Sequence, residues 1–431
     1  MSAPIIYPHS DTHSLLTLLS LHLPYSGPLL RLLQHHLVYP SKTAHILATF
    51  PQSSAPGPPS PWLIAYIDIY VDNETQVVLY SSLEAETRVP AAKLQNGSAE
   101  PSFRNGNELS RLAMEPDTAI QVQAQLLCLC SYIQKQLIPP YIAFLESQSN
   151  GHNNKETPCL SQKNHSFSPK PLEKIPAHPP TAFKIGSLHS GIRDLLLATV
   201  TDPEKVPAHI PKIRYMPHDQ SVYMKYLFRR STYDPPGEKR VGAPPSDSSD
   251  VTAANSLPPG YRFHNVDGLR GVQERHLDLV ISRTSIPRLK EMMREMPSVA
   301  IYHDGGFVDA SSNNTKPSPE STGPHNDGTD QSPIAWAFLG RDGSLSSLHV
   351  EEEHRGRGLA MILGKEVMKM GMGQGGVFTS ESYGGNDEGW AFGDVNLKNA
   401  ASRRVMEKMG GEEGWTTHWD VVQAIGDGLQ G

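Results

Sequence analysis

Cysteine is scarce: Cys128, Cys130 and Cys159 are the only three in 431 residues. That leaves no disulfide framework and suits a reducing compartment. Neither the pairing nor the spacing of a zinc site is present, so no metal is expected. No apolar run approaches the length of a membrane span, which removes a membrane as partner. The opening MSAPIIYPHSDTHSLLTLL has no basic residue ahead of its apolar positions. Secretory and mitochondrial leaders both want positive charge there, and a cytoplasmic protein is expected. The net charge is −7, with no block of like charge, so no nucleic acid partner is expected. Nineteen histidines occur without a His-Glu-x-x-His pair, and no Gly-x-Ser-x-Gly elbow accompanies them. The usual zinc-hydrolase and serine-hydrolase readings therefore fail.

Proline is plentiful by comparison, 37 residues, and it gathers with serine and glycine in segments that separate ordered stretches. Residues 1–232 read as one α/β unit, within which 147–183 is a disordered linker or insertion. Residues 233–258 are a low-complexity linker. Residues 259–425 form a second α/β unit with a disordered insertion at 309–332. In the first unit, leucines at 15–19 and 29–37 predict two helices. WLIAYIDIYVD and TQVVLYSSLE predict a hairpin about Asp72-Asn73-Glu74. A helix over 120–137 is expected to stop at Pro139-Pro140, followed by a short helix over 188–196 and a strand in SVYMKYLF. In the second unit, strands are expected at 261–266, 298–303, 334–339, 345–350, 377–382 and 415–421. Helices are expected at 277–296 (divided at Ile286-Pro287), after 359, and at 399–409.

The most informative stretch is Leu345–Met370: a short apolar strand, a charged turn with two glycines, and a helix with apolar residues at Leu359, Ile362, Leu363, Val367 and Met370. Small residues let the backbone of Arg355-Gly356-Arg357-Gly358-Leu359-Ala360 approach a ligand closely. The unpaired first-turn N–H groups, the positive end of the helix dipole and two arginines together suit a phosphate. A nucleoside-triphosphate loop does not fit. Five residues, not four, separate Gly358 from Gly364-Lys365, and Glu366 follows in place of Ser or Thr. A nominal dinucleotide fingerprint at Gly371, Gly373 and Gly376 lies after a helix and before an expected strand, the reverse of what that site needs.

The remaining pattern, Arg-x-x-Gly-x-Ala on strand–turn–helix, resembles the acyl-coenzyme A loop of the GNAT superfamily of N-acetyltransferases. PIAWAFLGRDGSLSSLHVEEEHRGRGLA and DVNLKNAASRRVMEKMGG further resemble the C-terminal domain of glycine N-acyltransferase-like proteins. PWLIAYIDIYVDNETQVVLYSSLE looks like the first half of that family. The resemblance implies an α/β (α+β) fold, a GNAT domain with a mixed, mostly antiparallel sheet flanked by helices, preceded by a degenerate GNAT-like half. It implies acetyl-CoA or another acyl-CoA as donor, a small amine or an amino acid such as glycine as acceptor, and N-acyl transfer as the reaction. The pyrophosphate would lie on the backbone of Arg355 to Ala360. The pantetheine arm would pair with Leu348, His349 and Val350, with Asn399 and Ser402 contacting it or bracing the helix beside it.

The chemistry is less marked. Relatives carry a glutamate base eleven residues before the loop's first arginine, where this chain has Ser344. They carry a tyrosine donor seven residues after the asparagine, where this chain has Met406, which cannot donate a proton. Candidates for the missing roles are Asp342, His349 and Glu381, with Glu351 and Tyr383 behind them. For Asp342 the turn-forming role before glycine is the favoured reading. His349 alternates with Leu348, so one of the two faces the cleft, and a bulge would decide which. The alternatives are an acyl-CoA-binding sensor or interaction module without turnover, and a protein N-acetyltransferase.

Overall fold

A computed structural model describes residues 4–54, 56–57, 60–71, 74–86, 110, 112, 114–150, 177–201, 212–216, 221–234, 257–284, 286–304, 331–373, 375–378 and 389–425. The strands, in chain order, are β1 (Tyr7–Pro8), β2 (His45–Ala48), β3 (Leu63–Ile67), β4 (Val77–Ser81), β5 (Phe183–His189), β6 (Lys212–Met216) and β7 (Tyr223–Phe228). They continue as β8 (Tyr261–Arg262), β9 (Ser298–His303), β10 (Ala335–Leu339), β11 (Leu345–Val350), β12 (Ala391–Asn396) and β13 (Glu412–Ile425). The first helix, Thr12–Ser20, starts where the Asp11 carboxylate accepts the His13 and Ser14 N–H groups, satisfying donors that a helix start leaves open. The second, Gly27–Val38, has proline in its first turn, where no N–H is missed.

Three expectations need correction. The helix Pro116–Tyr132 does not stop at Pro139-Pro140: a π-turn at Ile133–Leu137 leads into a new helix, Ile138–Asn150. Both prolines fall in its first turn, the one helical place that tolerates them. Leu188 belongs to β5, and the helix begins only at Ser190 and runs to Thr201. Val377 and Phe378 form a turn, not the start of a strand, and the rest of that expected strand lies outside the described residues. The strand that follows the central helix is β12. The division at Ile286-Pro287 is present, with helices at Leu277–Ser282 and Lys290–Arg294.

The strands form two sheets. One is nine-stranded, ordered β1-β2-β3-β4-β5-β13-β7-β12 with β6 also pairing β13. Its pairs are antiparallel except β4–β5, which are parallel and joined through Val77 and Ile185. The other is four-stranded and antiparallel, β11-β10-β9-β8. The halves exchange strands across this arrangement. β7, which precedes the 233–258 gap, pairs with β12 over its whole length. β13, at the far end of the chain, runs back between β5 and β7 and pairs with β6.

Helices cover both faces, as a sheet apolar on two sides requires. Alternation along β10 shows how a single strand serves both. Ala335, Ala337 and Leu339 pack with Leu363 and Val367 of the helix Leu359–Met372, while Trp336 and Phe338 pack with Leu277, Val280 and Met293. In the N-terminal half, Leu16, Leu30 and Leu33 cover one face of β3–β4, and Leu126, Ile133 and Ile192 cover the other. The two sheets meet where β11 begins, beneath the turn Gly340–Gly343. The site is built on that junction.

Candidate active site

The turn Gly340–Gly343 closes with the Gly343 N–H donating to Gly340 O at 2.9 Å. Gly343 takes φ +74°, a conformation that favours glycine. Asp342 is fixed by its neighbour: Ser344 donates from its backbone to Oδ1 at 3.1 Å and from its hydroxyl to Oδ2 at 2.9 Å. Ser344 is buried. β11 then carries a bulge. Phe338 stands opposite Ser346 and Trp336 opposite His349, so Ser347 and Leu348 together face Ala337. A bulge of this kind re-aims the side chains that follow it. Leu348 packs into the core with the helix Leu359–Met372. His349 turns to the opposite face, stacked on Trp336 with ring centroids 4.6 Å apart. Its Nε2 lies 3.4 Å from the Glu351 carboxylate, which also takes Arg283 Nε at 3.0 Å. Burial lowers the His349 pKa, and the nearby Glu351 carboxylate opposes that shift.

Beside β11 the sheet comes apart. Ser344 and Phe392 form a single parallel bridge, reinforced by the Phe392 N–H donating to Gly343 O at 3.1 Å. Among the described residues no further pairing joins β11 to β12. A gap therefore opens toward Leu348–Val350. At its closed end Asp394 is held by Lys225 Nζ at 2.7 Å and by the Thr417 hydroxyl at 3.0 Å. Burial raises the Asp394 pKa, against the pull of Lys225.

At its open end lies the loop. Arg355 donates from Nε to Val350 O at 3.0 Å, and Arg357 donates to Glu353 O. Gly356 and Gly358 take φ +79° and +77°. Gly358 caps the helix, which has no side-chain cap. A Cβ added at either glycine would meet nothing within 4 Å. No side chain serves the first-turn N–H groups, of which Met361's donates to Gly358 O at 3.1 Å, and the space beside the two glycines is open, a geometry suited to an anion. Leu359 is buried beneath the loop and Ala360 half-buried.

A cavity of about 230 Å³ lies at the start of β11, between the two halves. Thr75, Val78 and Ser187 line it from the first half, Asp342, Ser346 and Ser347 from the second. Asp394 also reaches it, whereas His349 lies outside the lining. Asp342 and His349 are thus not brought to one point. Asn399 is the N-cap of the helix Ala400–Lys408, its side chain accepting the Ser402 N–H at 3.0 Å. Met406 is buried in the core. Glu381 and Tyr383 lie outside the described residues. The sequence reading missed Lys225 and Asp394, which sit on different sides of the 233–258 gap, and the pair Glu74 and Arg288 on the cavity wall. Asp394 opens the stretch DVNLKNAASRRVMEKMGG, and that adjacency was its one signal.

Strand, bulge, glycine loop and helix thus stand beside a strand that meets β11 at a single parallel bridge. Residues 3–226 match the family model for the acyl-CoA N-acyltransferase verG N-terminal domain, just over half of the chain. The chain belongs to that family, whose reaction class is acyl transfer from coenzyme A. Among solved structures it is similar to a Drosophila protein, at 11% identity and TM-score 0.42, over 98% of this chain and 99% of that one. It is also similar to a tandem GNAT protein from the clavulanic acid biosynthesis pathway, at 10% identity and TM-score 0.37, over 98% of each. A third is a GNAT-family acetyltransferase from Novosphingobium aromaticivorans, at 13% identity and TM-score 0.28, over 51% of this chain and 71% of that one. No curated protein matches the sequence. Among the described residues no helix is long and apolar enough to cross a membrane, and no group of side chains could hold a metal.

Proposed function

We propose that the protein transfers an acetyl or small acyl group from acyl-CoA to the amine of a small molecule or amino acid, glycine being the simplest member of that class. The observation that carries this reading is the break in pairing between β11 and β12, which among the described residues meet only at the Ser344–Phe392 bridge, with the glycine loop at one end of β11 and the Asp342 cavity at the other. The donor would lie along that break. The loop from Arg355 to Ala360 would hold its pyrophosphate through N–H groups after Arg355, whose own donates to Glu352 O at 3.2 Å, and the backbone of Leu348 to Val350 its pantetheine arm. Acyl-CoA supplies the thioester carbonyl that an amine attacks.

The chain's own contribution is orientation and proton handling. An ammonium must lose a proton before it can attack, and a carboxylate in reach, directly or through one water, is a suitable acceptor. Asp342 lines the cavity with both oxygens already accepting from Ser344, which fixes its position and keeps it an acceptor. Burial lowers the His349 pKa, and this imidazole is the second candidate acceptor, on the other face of β11 and away from the cavity. Binding both reactants in one walled cleft supplies much of the acceleration without any side chain. Asn399, spent on its helix cap, braces the helix beside β12.

A second reading has its own observation: Ser344 is engaged by Asp342, and Met406 is core, so neither position supplies the base or acid of the family. The protein would then bind acyl-CoA as a sensor. Calorimetry with acetyl-CoA followed by an amine screen for free thiol decides between them. Binding with amine-dependent thiol supports transfer, binding without thiol supports the sensor, and absence of binding removes both.

A further inference from the structure

Among the described residues only two that are not glycine have positive φ, Ser187 at +52° and Ser347 at +50°. One is on β5 of the first half and the other on β11 of the second, and both line the same cavity. Both hydroxyls are buried without a hydrogen-bond partner. Strained backbone and orphaned buried polar groups are both costly, and such costs cluster at functional sites.

A third orphan joins them on the same wall. Arg288 lines the cavity, and its Nε is buried and unpartnered. The rest of the guanidinium is anchored: Nη2 donates to Ser346 Oγ at 2.9 Å, and Nη1 lies 3.6 Å from the Glu74 carboxylate. Glu74 in turn accepts the Leu289 N–H at 2.7 Å. The arginine is therefore positioned in advance, with its Nε–H left without a partner. Two hydroxyls and one guanidinium N–H on residues that line one cavity would, once turned toward it, suit a carboxylate. Asp342 lies on the same cavity and carries the opposite charge. Much of the remaining lining is apolar, including Tyr223, Ile286, Met292, Met296 and Trp419. At about 230 Å³, against ~30 Å³ for one water, the space is far larger than glycine fills.

We propose that this cavity binds an α-amino acid with an apolar side chain, its carboxylate taken by Arg288 and the two strained serines and its ammonium turned to Asp342. The inference rests on the acceptor side of the reaction proposed above. Its specificity follows from what each simpler ligand leaves undone. An amine without a carboxylate leaves the three donors orphaned. Glycine leaves the apolar wall uncovered. The N-terminal half thereby becomes a working wall of the acceptor site, through Ser187 and Glu74.

The test is calorimetry on the full chain with saturating coenzyme A, titrating L-phenylalanine, phenethylamine and glycine in turn. L-Phenylalanine should bind at least tenfold more tightly than either of the others. In Arg288→Met the advantage over phenethylamine should vanish. Ser187→Ala, which leaves the Glu74–Arg288 pair in place, should reduce it several-fold, so that the outcome does not hang on one variant's folding. Equal affinity for phenethylamine or for glycine, or no binding of any of the three, would overturn the proposal. Thiol release from acetyl-CoA reads the transfer reaction separately. Phenylalanine bound without thiol release would keep this inference and remove the transfer reading. Release with phenethylamine as good as with phenylalanine would do the reverse.

Discussion

Gly358 separates two costs that a loop mutation usually mixes. At φ +77° any side chain at this position strains the backbone, by ~1–2 kcal/mol for an L-residue in the left-handed region. In a chain of this size that lowers the melting temperature by only ~2 °C. The added Cβ itself meets nothing within 4 Å, so Gly358→Ala carries the backbone cost and little else. Gly358→Trp carries the same backbone cost and also fills the open space before the first turn of the helix. If the pyrophosphate lies there, the indole displaces it from one or two charge-assisted hydrogen bonds, each contributing ~1.5–3 kcal/mol. The two variants should therefore melt within a degree or two of each other. Their acetyl-CoA affinities should differ by at least about tenfold, the factor that ~1.4 kcal/mol represents. Differential scanning and isothermal calorimetry on the same preparations read both quantities. Wild-type affinity in Gly358→Trp would refute the placement of the phosphate on this loop. So would an equal loss of affinity in the two variants.

Three further outcomes follow from the geometry. Lys225→Met leaves the buried Asp394 carboxylate without its cation and should cost about 3–5 kcal/mol in urea unfolding, most of which the double variant Lys225→Met, Asp394→Leu should restore. Asp342→Asn keeps an acceptor for the Ser344 N–H but removes a proton acceptor from the cavity. It should lower kcat/KM for the amine about 10²-fold or more, with acetyl-CoA affinity unchanged, and an unaltered rate would clear Asp342 of that role. Glu84 is buried, and burial pushes its carboxyl up to about 8 against the pull of the Ser81 N–H. The folded state therefore holds a proton that the unfolded state has lost. The stabilising contribution is full below about pH 4.5 and disappears as pH rises toward 8, by on the order of a few kcal/mol. Glu84→Gln should flatten the fall in melting temperature across that window, and a profile parallel to wild type would show that Glu84 does not titrate there.

Much of the second half could be read from the chain because its elements carry strong local signals. The helix Leu359–Met372 follows from apolar spacing and the loop from its glycines, and both need only neighbours in sequence. The strand order was legible for the same reason. β12 was not: AFGDVN contains a glycine and an aspartate, which weaken its strand signature. The residues at 377–382 looked more like a strand by composition alone. Pro139-Pro140 misled because a proline ends one helix and opens the next with the same residue type, and only the π-turn before it shows which. The exchange of β7 and β13 between halves left no local mark, since both are ordinary strands and only the sheet decides their neighbours.

The site divides along the same line. Arg355 to Ala360, Asp342 and His349 could be named from sequence because the loop sets a local frame for counting. The bulge at Ser347 and Leu348, which sends His349 to Trp336, is a matter of register with β10 and cannot be counted. Lys225 with Asp394 and Glu74 with Arg288 are long-range pairings, and Ser187 and Ser347 meet only through the cavity they both line; each joins segments on opposite sides of the 233–258 linker. A single sequence gives no means of matching such partners.

The central claim is transfer to nitrogen, and its most direct test is release of free thiol from acetyl-CoA by the purified full chain, with and without an amino-acid acceptor. The account predicts thiol in proportion to acceptor, with N-acetylated amino acid formed in equal amount. Tight binding of acetyl-CoA with thiol release at the spontaneous rate, whatever acceptor is offered, would contradict it and leave a coenzyme A-binding sensor in its place.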